Sequence, residues 1–217
     1  MLRYFFSVLF ICILQLPLYG QEQDSIRKFI PTGIRIGVDV IPVIKTFTDN
    51  SYTGYEFAVD TDFYRYFLVA EYGASNLTKE VVNGNYENGG NYFRAGVDIN
   101  FLKGDTDRNV FFLGFRYGRS SFNETLMFTT TDLIYGDQSF EGANGKLTGS
   151  WAEITSGLKV KIWKGLYLGF TGRFKFVPSV HGEEEFTPYD IPGYGLASEN
   201  TYWGFNYQIF YRIPFRK

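Results

Sequence analysis

The 217 residues contain one histidine, His181. Ser179 lies two positions before it and Asp190 nine after it, which are the residue types of a nucleophilic site: an imidazole takes the proton of a hydroxyl and a carboxylate orients the ring. Ser-x-His has no recognised nucleophile geometry, so these residues are read as a solvated loop and no catalytic residue is assigned. Glu183-Glu184-Glu185 follows. Carboxylates suit Ca²⁺ or Mg²⁺, but an acidic run is ordinarily a solvated face, and no metal ligand is assigned. No phosphate-binding loop, dinucleotide fingerprint or zinc-ligand spacing occurs, so no cofactor is expected and the chain is read as a non-enzyme. Gly89-Gly90 and the Asn-Gly pairs at 83–84 and 144–145 read as turns.

The chemistry that the sequence does concentrate is ionic, and it falls at every second residue. The candidate site is a network of Glu56, Asp60, Glu71, Asp98, Arg94, Arg116, Lys159, Lys161, Arg173 and Lys175. Arg35, Asp39, Glu153 and Arg212 share their parity. The elements that must position these charges are eight segments of strict alternation. Ile34, Ile36, Val38 and Val40 alternate with Arg35, Gly37 and Asp39. Tyr55, Phe57, Val59 and Phe63 alternate with Glu56, Ala58, Asp60 and Asp62. Tyr66, Leu68, Ala70 and Tyr72 alternate with Arg65, Glu71 and Gly73, less cleanly because Phe67 and Val69 lie on the polar parity. Phe93 to Phe101 and Phe111 to Tyr117 form the fourth and fifth segments. Ala152 to Ile162, Leu166 to Phe176 and Trp203 to Phe215 form the sixth to eighth. No apolar parity carries a charge.

Such a face is either a dry core, with the charges in water, or a surface in lipid, with the charges inside. Three features choose lipid. Short connections near 62–65, 103–109 and 163–165 alternate with longer ones at about 42–54, 74–90, 119–149 and 178–199, so the short turns share one end. Aromatic residues crowd the segment ends, as in two interfacial girdles. The apolar spans of about 9–13 residues match tilted membrane-crossing strands. The predicted fold is all-β, an eight-stranded antiparallel up-and-down transmembrane β-barrel over residues 32–217. Leu126-Met127-Phe128 and Leu133-Ile134-Tyr135 are expected to extend the fifth and sixth strands as a hairpin. Loop rings at Tyr86, Phe128, Tyr135, Phe140, Phe186, Tyr189 and Tyr194 would either offer apolar surface to a protein partner or pack against one another.

One basic residue, an apolar run from Phe5 to about Leu18, then Gly20 and a polar stretch give residues 1–20 the layout of a secretory signal peptide. Residues 21–31 would form a short periplasmic segment, and both termini of the barrel would be periplasmic. Cys12 lies within the signal, leaving a mature chain without thiols. The formal charge of −2 suggests no nucleic-acid partner.

The last segment, Trp203-Gly204-Phe205-Asn206-Tyr207-Gln208-Ile209-Phe210-Tyr211-Arg212-Ile213-Pro214-Phe215, resembles the C-terminal signal of outer-membrane barrels, although Arg216 and Lys217 follow the final aromatic. The resemblance implies recognition by the barrel-assembly machinery. Size and arrangement are similar to OmpA/OmpX-type barrels. Gly33-Ile34-Arg35-Ile36-Gly37-Val38-Asp39, Phe93 to Phe101 and Leu113 to Gly118 resemble an uncharacterised family of small Bacteroidota outer-membrane proteins. That resemblance implies location and fold, and no activity.

In a closed ring of eight, the second and third strands stand opposite the sixth and seventh. Glu56, Asp60 and Glu71 would face Lys159, Lys161, Arg173 and Lys175 across a lumen narrow enough for side chains to fill. Ion pairs would plug it, since unpaired buried charges are costly. The expected function is an interaction platform in the outer membrane, with an outer-membrane lipoprotein or larger complex as partner. A small ion or solute pore and a surface adhesin are the alternatives.

Overall fold

The computed structural model describes residues 30–102, 105–132, 134, 136–183 and 185–215. The signal-peptide reading of 1–20, most of the 21–31 segment, and Leu133, Tyr135 and Glu184 lie outside them. The described residues are all-β apart from one short helix. Its elements are β1 (Gly33–Asp39), α1 (Val40–Thr48), β2 (Tyr52–Phe63), β3 (Tyr66–Val81), β4 (Gly84–Asn100), β5 (Val110–Asp132), β6 (Gly136–Trp163), β7 (Leu166–Glu183), β8 (Asp190–Ile191), β9 (Gly195–Leu196) and β10 (Thr201–Pro214).

Eight antiparallel strands close into a ring in the order β1-β10-β7-β6-β5-β4-β3-β2, while β8 and β9 pair only with each other. The first and last strands meet from Gly33↔Pro214 to Asp39↔Gln208, so no edge is left along the ring. Consider the paired positions Ile36, Val59, Ala70, Ala95, Tyr117, Ala152, Phe176 and Thr201. Following them round the ring and along the β10–β1 register returns to the first strand ten residues further on. That stagger corresponds to strands tilted by about 40° to the axis.

Alternation sets which side chain faces where. The charged parity points inward: Arg35, Glu56, Asp60, Glu71, Arg94, Asp98, Arg116, Glu153, Lys159 and Arg173 are all buried. The apolar parity points outward, with Phe57 50%, Phe93 47%, Phe115 55%, Phe170 48% and Phe205 58% exposed. Between an edge at Tyr55, Tyr72, Phe93, Tyr117 and Trp203 and an edge at Phe101, Phe111, Trp163 and Phe215, this outward band carries no charge. It runs from Tyr66 to Tyr72 on β3 at its shortest and from Trp203 to Phe215 at its longest, roughly 15–30 Å along the axis once tilt is included.

The short turns lie at one end. Tyr64 (φ 63°) turns β2 into β3, and Gly165 (φ 84°) turns β6 into β7. At the other end β3 and β4 continue as a ladder to a tight turn at Asn83 (φ 57°) and Gly84, so 74–90 is strand rather than loop. Gly89 and Gly90 lie within β4 and are not a turn. Asn144-Gly145 lies beside a register shift between Gly145 and Thr148 rather than in a turn. The β5–β6 hairpin extends furthest, pairing as far as Asp132↔Gly136. The stretch expected as a loop from 42 holds α1. Asp39 caps it, its carboxylate accepting from the Ile41 amide at 3.1 Å, and Pro42 is tolerated in the first turn.

Candidate functional site

The lumen is filled in layers. At the short-turn end Phe67, Val69, Val110 and Phe112 form one apolar cluster, and Ala58, Tyr167 and Phe210 form another. Phe67 and Val69, which broke the third segment's pattern, are thus inner residues. The Arg35 guanidinium lies 4.6 Å from the Phe67 ring centre, and the Lys159 ammonium about equally near Phe112 and Phe210, at 5.1 and 5.0 Å.

Above them is a first tier of ions. Asp60 accepts from Arg35 Nε at 2.7 Å through one oxygen and from Lys159 Nζ at 2.6 Å through the other. Asp98 accepts from Arg116 Nη2 at 2.7 Å. β2 and β6 stand opposite in the ring, so the Asp60–Lys159 pair spans the barrel.

The second tier is denser. Arg173 Nη2 donates to Glu71 at 2.6 Å and Nη1 donates to Glu153 at 2.7 Å. β3 and β7 are also opposite, so Arg173–Glu71 is a second cross-lumen pair. Arg94 faces three carboxylates: Glu56, Glu71 at 2.8 Å and Glu153 at 3.7 Å. Asn206 bridges the tier, accepting from Arg173 Nε and donating to Asp39 and, at 3.0 Å, to Glu56. Tyr92 donates to Glu56 and Trp151 to Glu153, both at 2.7 Å. Glu71, Glu153, Arg94 and Arg173 are 5% exposed or less. In so dry a setting the pairs hold because each ionised group faces at least one opposite charge, although Arg35 Nη2 and Arg116 Nε are buried without a hydrogen-bond partner.

The long-loop end is covered by the segment between β7 and β10, which folds back over the mouth. Its Ile191 and Tyr194 are buried with Tyr92, Phe122, Leu147 and Trp151. Glu124 latches this lid: its Oε1 accepts from the Tyr189 and Asp190 amides at 3.1 and 3.2 Å and from Tyr86 at 2.5 Å. Asn88 donates to the Asp190 carbonyl at 2.7 Å, and Asn144 donates to the Phe186 carbonyl at 2.8 Å while accepting from the Glu185 amide at 2.8 Å. From below, Lys175 donates to the carbonyls of Gly193 and Tyr194 at 2.8 and 2.9 Å. Burial, reinforced by the Glu124 charge, raises Asp190 above the ordinary carboxylate range. Burial and its bond to Glu124 raise the Tyr86 phenol, which therefore stays a donor.

Of the ten residues singled out by alternation, Glu56, Asp60, Glu71, Arg94, Asp98, Arg116, Lys159 and Arg173 come together in the two tiers. Lys175 lies above them against the lid. Lys161 stands apart. β6 shifts register between Lys161 and Trp163, and the ammonium pairs with Asp107 at 2.9 Å on the exposed rim. Arg35, Asp39, Glu153 and Asn206, all on the inward parity, complete the tiers. The lid had no signal in the sequence, because residues far along the chain hold it. Two of the loop rings expected at the surface, Tyr86 and Tyr194, are buried beneath it or within it. Ser179 Oγ and His181 Nε2 lie 3.1 Å apart in an exposed position. Among the described residues no carboxylate bonds to that ring, and no group of three His, Cys, Asp or Glu side chains is placed to hold a metal.

The arrangement matches a family that has no assigned chemistry. A family model described as "Domain of unknown function (DUF6048)" covers residues 1–217. The chain belongs to the DUF6048 family. No curated protein matches the sequence.

Proposed function

We propose that this DUF6048 protein is a plugged outer-membrane barrel of OmpA/OmpX-like architecture, from a Bacteroidota-type envelope, that serves as a platform for a protein partner. The observation that carries the reading is the inversion of the ring, with ionised side chains sealed inside and a level, charge-free apolar band outside. A water-soluble protein rarely exposes more than a few hundred Å² of contiguous apolar surface, whereas lipid requires such a band, about 25 Å tall and edged by aromatics. No helix among the described residues is long and apolar enough to cross a membrane, and a barrel needs none. With this orientation the short turns and both ends of the ring are periplasmic, and the β3–β4 and β5–β6 hairpins project outside the cell.

The cross-lumen pairs, the apolar clusters beneath them and the lid above support a lumen that does not conduct. What the molecule offers a partner, such as an outer-membrane lipoprotein or a larger complex, is its projecting hairpins and outer wall. Met127, Ile134 and Phe140 are exposed on the longest hairpin, and Phe128 and Phe140 brace it ring to ring at 5.1 Å. Planar-bilayer recording of the purified protein tests the plug, and no steady conductance is expected. A stable open level would overturn the plug in favour of a pore. Affinity purification in mild detergent tests the platform: a stoichiometric partner lost on deleting 126–140 is expected, and a clean monomer would refute it.

A further inference from the structure

We infer that the outer wall of β3, β4 and β5 holds the saccharide headgroup of an outer-leaflet glycolipid; this rests on the membrane reading above. A groove of 830 Å³ runs along that wall, the size of a small-ligand site. Its lower lip is Tyr55 and Tyr72, the upper edge of the apolar band. Above that lip the outward parity turns polar on all three strands, beginning on β5 with the exposed Arg119 beside Phe93. Where it carried Leu68, Val97 and Phe115 within the band, it carries Asn76, Asn91 and Asn123 in the groove, with Ser121 and Thr125 beside them. The groove thus begins where the hydrocarbon ends and rises roughly 15–20 Å above it, beyond the headgroup layer of a phospholipid.

Its chemistry is that of a polyol site. Each of the three carboxamides offers two donors and an acceptor, and none forms a hydrogen bond within the protein among the described residues. Gly89, paired between Asn76 and Asn123, leaves the floor open: a Cβ there would lie 2.7 Å from Asn76 Oδ1. One carboxylate and one ammonium, Glu87 and Lys146, give the lining no net charge, which fits a sugar better than a bare phosphate. Tyr rings at the lip suit the apolar faces of a pyranose. Beneath the lip, Ala70 pairs with Ala95 between Tyr72↔Phe93 and Leu68↔Val97. That small-residue notch in a wall of large side chains gives an acyl chain a path down from the groove, and this is why a lipid-borne sugar is chosen over a free glycan.

The test uses the full chain reconstituted in phosphatidylethanolamine nanodiscs with and without rough-type lipopolysaccharide, read by native mass spectrometry. One glycolipid is expected to stay bound per barrel. Asn91→Leu with Asn123→Leu should lower its retention at least tenfold, while Thr201→Leu, on the opposite wall just above the band, should not. Equal retention by the double variant would overturn the inference, as would no retention by the unaltered chain. Equal binding of the deacylated core oligosaccharide would assign the groove to free glycan and overturn the lipid source. Insertion into plain phosphatidylethanolamine vesicles, read by heat-modifiable gel mobility, separates the two readings. A barrel that inserts there but ignores glycolipid sinks only this inference, and one that never inserts sinks the membrane reading.

Discussion

Replacing Arg173 with Met is the sharpest test of the closed lumen. The guanidinium is 1% exposed and holds Glu71 at 2.6 Å, Glu153 at 2.7 Å and Asn206. Its loss leaves two buried carboxylates sharing Arg94, which already faces Glu56. Breaking a buried pair from one side costs about 3–5 kcal/mol, a shift on the order of a hundred- to several-thousand-fold in the unfolding constant. Adding Glu71→Gln removes the stranded charge and should recover much of that loss, so the double variant should be more stable than Arg173→Met alone. Arg173→Lys keeps the charge but cannot fork between two carboxylates, and a loss of about 1–3 kcal/mol is expected. Equilibrium unfolding in urea with phospholipid vesicles, followed by fluorescence of the three tryptophans, measures each step. A loss below about 1 kcal/mol for Arg173→Met, or losses at Arg173 and Glu71 that simply add, would show that the cross-lumen pair is not an energetic unit.

Glu124→Gln should loosen the lid by about 1–3 kcal/mol, seen as faster amide exchange across residues 185–197 with the ladder below unchanged; slow exchange in both would count against a latch at Glu124. Because Asp190 has a raised pKa, its contribution to lid closure is full below the ordinary carboxylate value of 3.8 and is lost as pH rises through the raised one. Acidification from neutral pH should therefore tighten the lid. In a Trp163→Phe, Trp203→Phe background, acrylamide quenching of Trp151, which touches Tyr194 of the lid at 5.8 Å, should fall with pH, and Asp190→Asn should flatten that response. Phe170→Arg, in the middle of the apolar band, should cost about 2–4 kcal/mol in vesicles and Thr201→Arg, above it, about 0–1; equal costs would contradict the proposed membrane depth.

Alternation made most of this legible in advance, because in a sheet the side-chain period decides the face and the charges mark the parity. That Arg94, Glu71 and Arg173 lie on the charged face could be read without knowing any pairing, and the uneven connections, aromatic ends and span lengths chose that face as the inner one. Opposite walls followed from strand order alone. Four things were not legible. The helix at Val40–Thr48 left a trace, a capping Asp39 and apolar residues at 40, 41, 43, 44 and 47, but it interrupts a strand-like run. The reach of β3 and β4 to Asn83 was hidden because their outer halves alternate polar with polar once they pass the band. The lid depends on Glu124, Asn88 and Asn144, whose partners in the lid lie 41 to 102 residues away, and no local pattern encodes such contacts. Lys161 shared the inward parity but sits where β6 ends, and parity says nothing about height.

The bridge at Asn206 has a consequence for the order of assembly. It stands on β10, the last strand of the ring to be made, and reaches back to Asp39 on the first, 167 residues earlier. Until β10 is in place, Arg173 has no amide to meet its Nε, Asp39 has no donor from Asn206, and the seam between β1 and its neighbour is open to water. A chain that stalls one strand short thus carries a wet, charged cleft instead of a sealed interior. The Asn206 bridge between Arg173, Asp39 and Glu56 is made only on closure, and so distinguishes a finished barrel from an unfinished one.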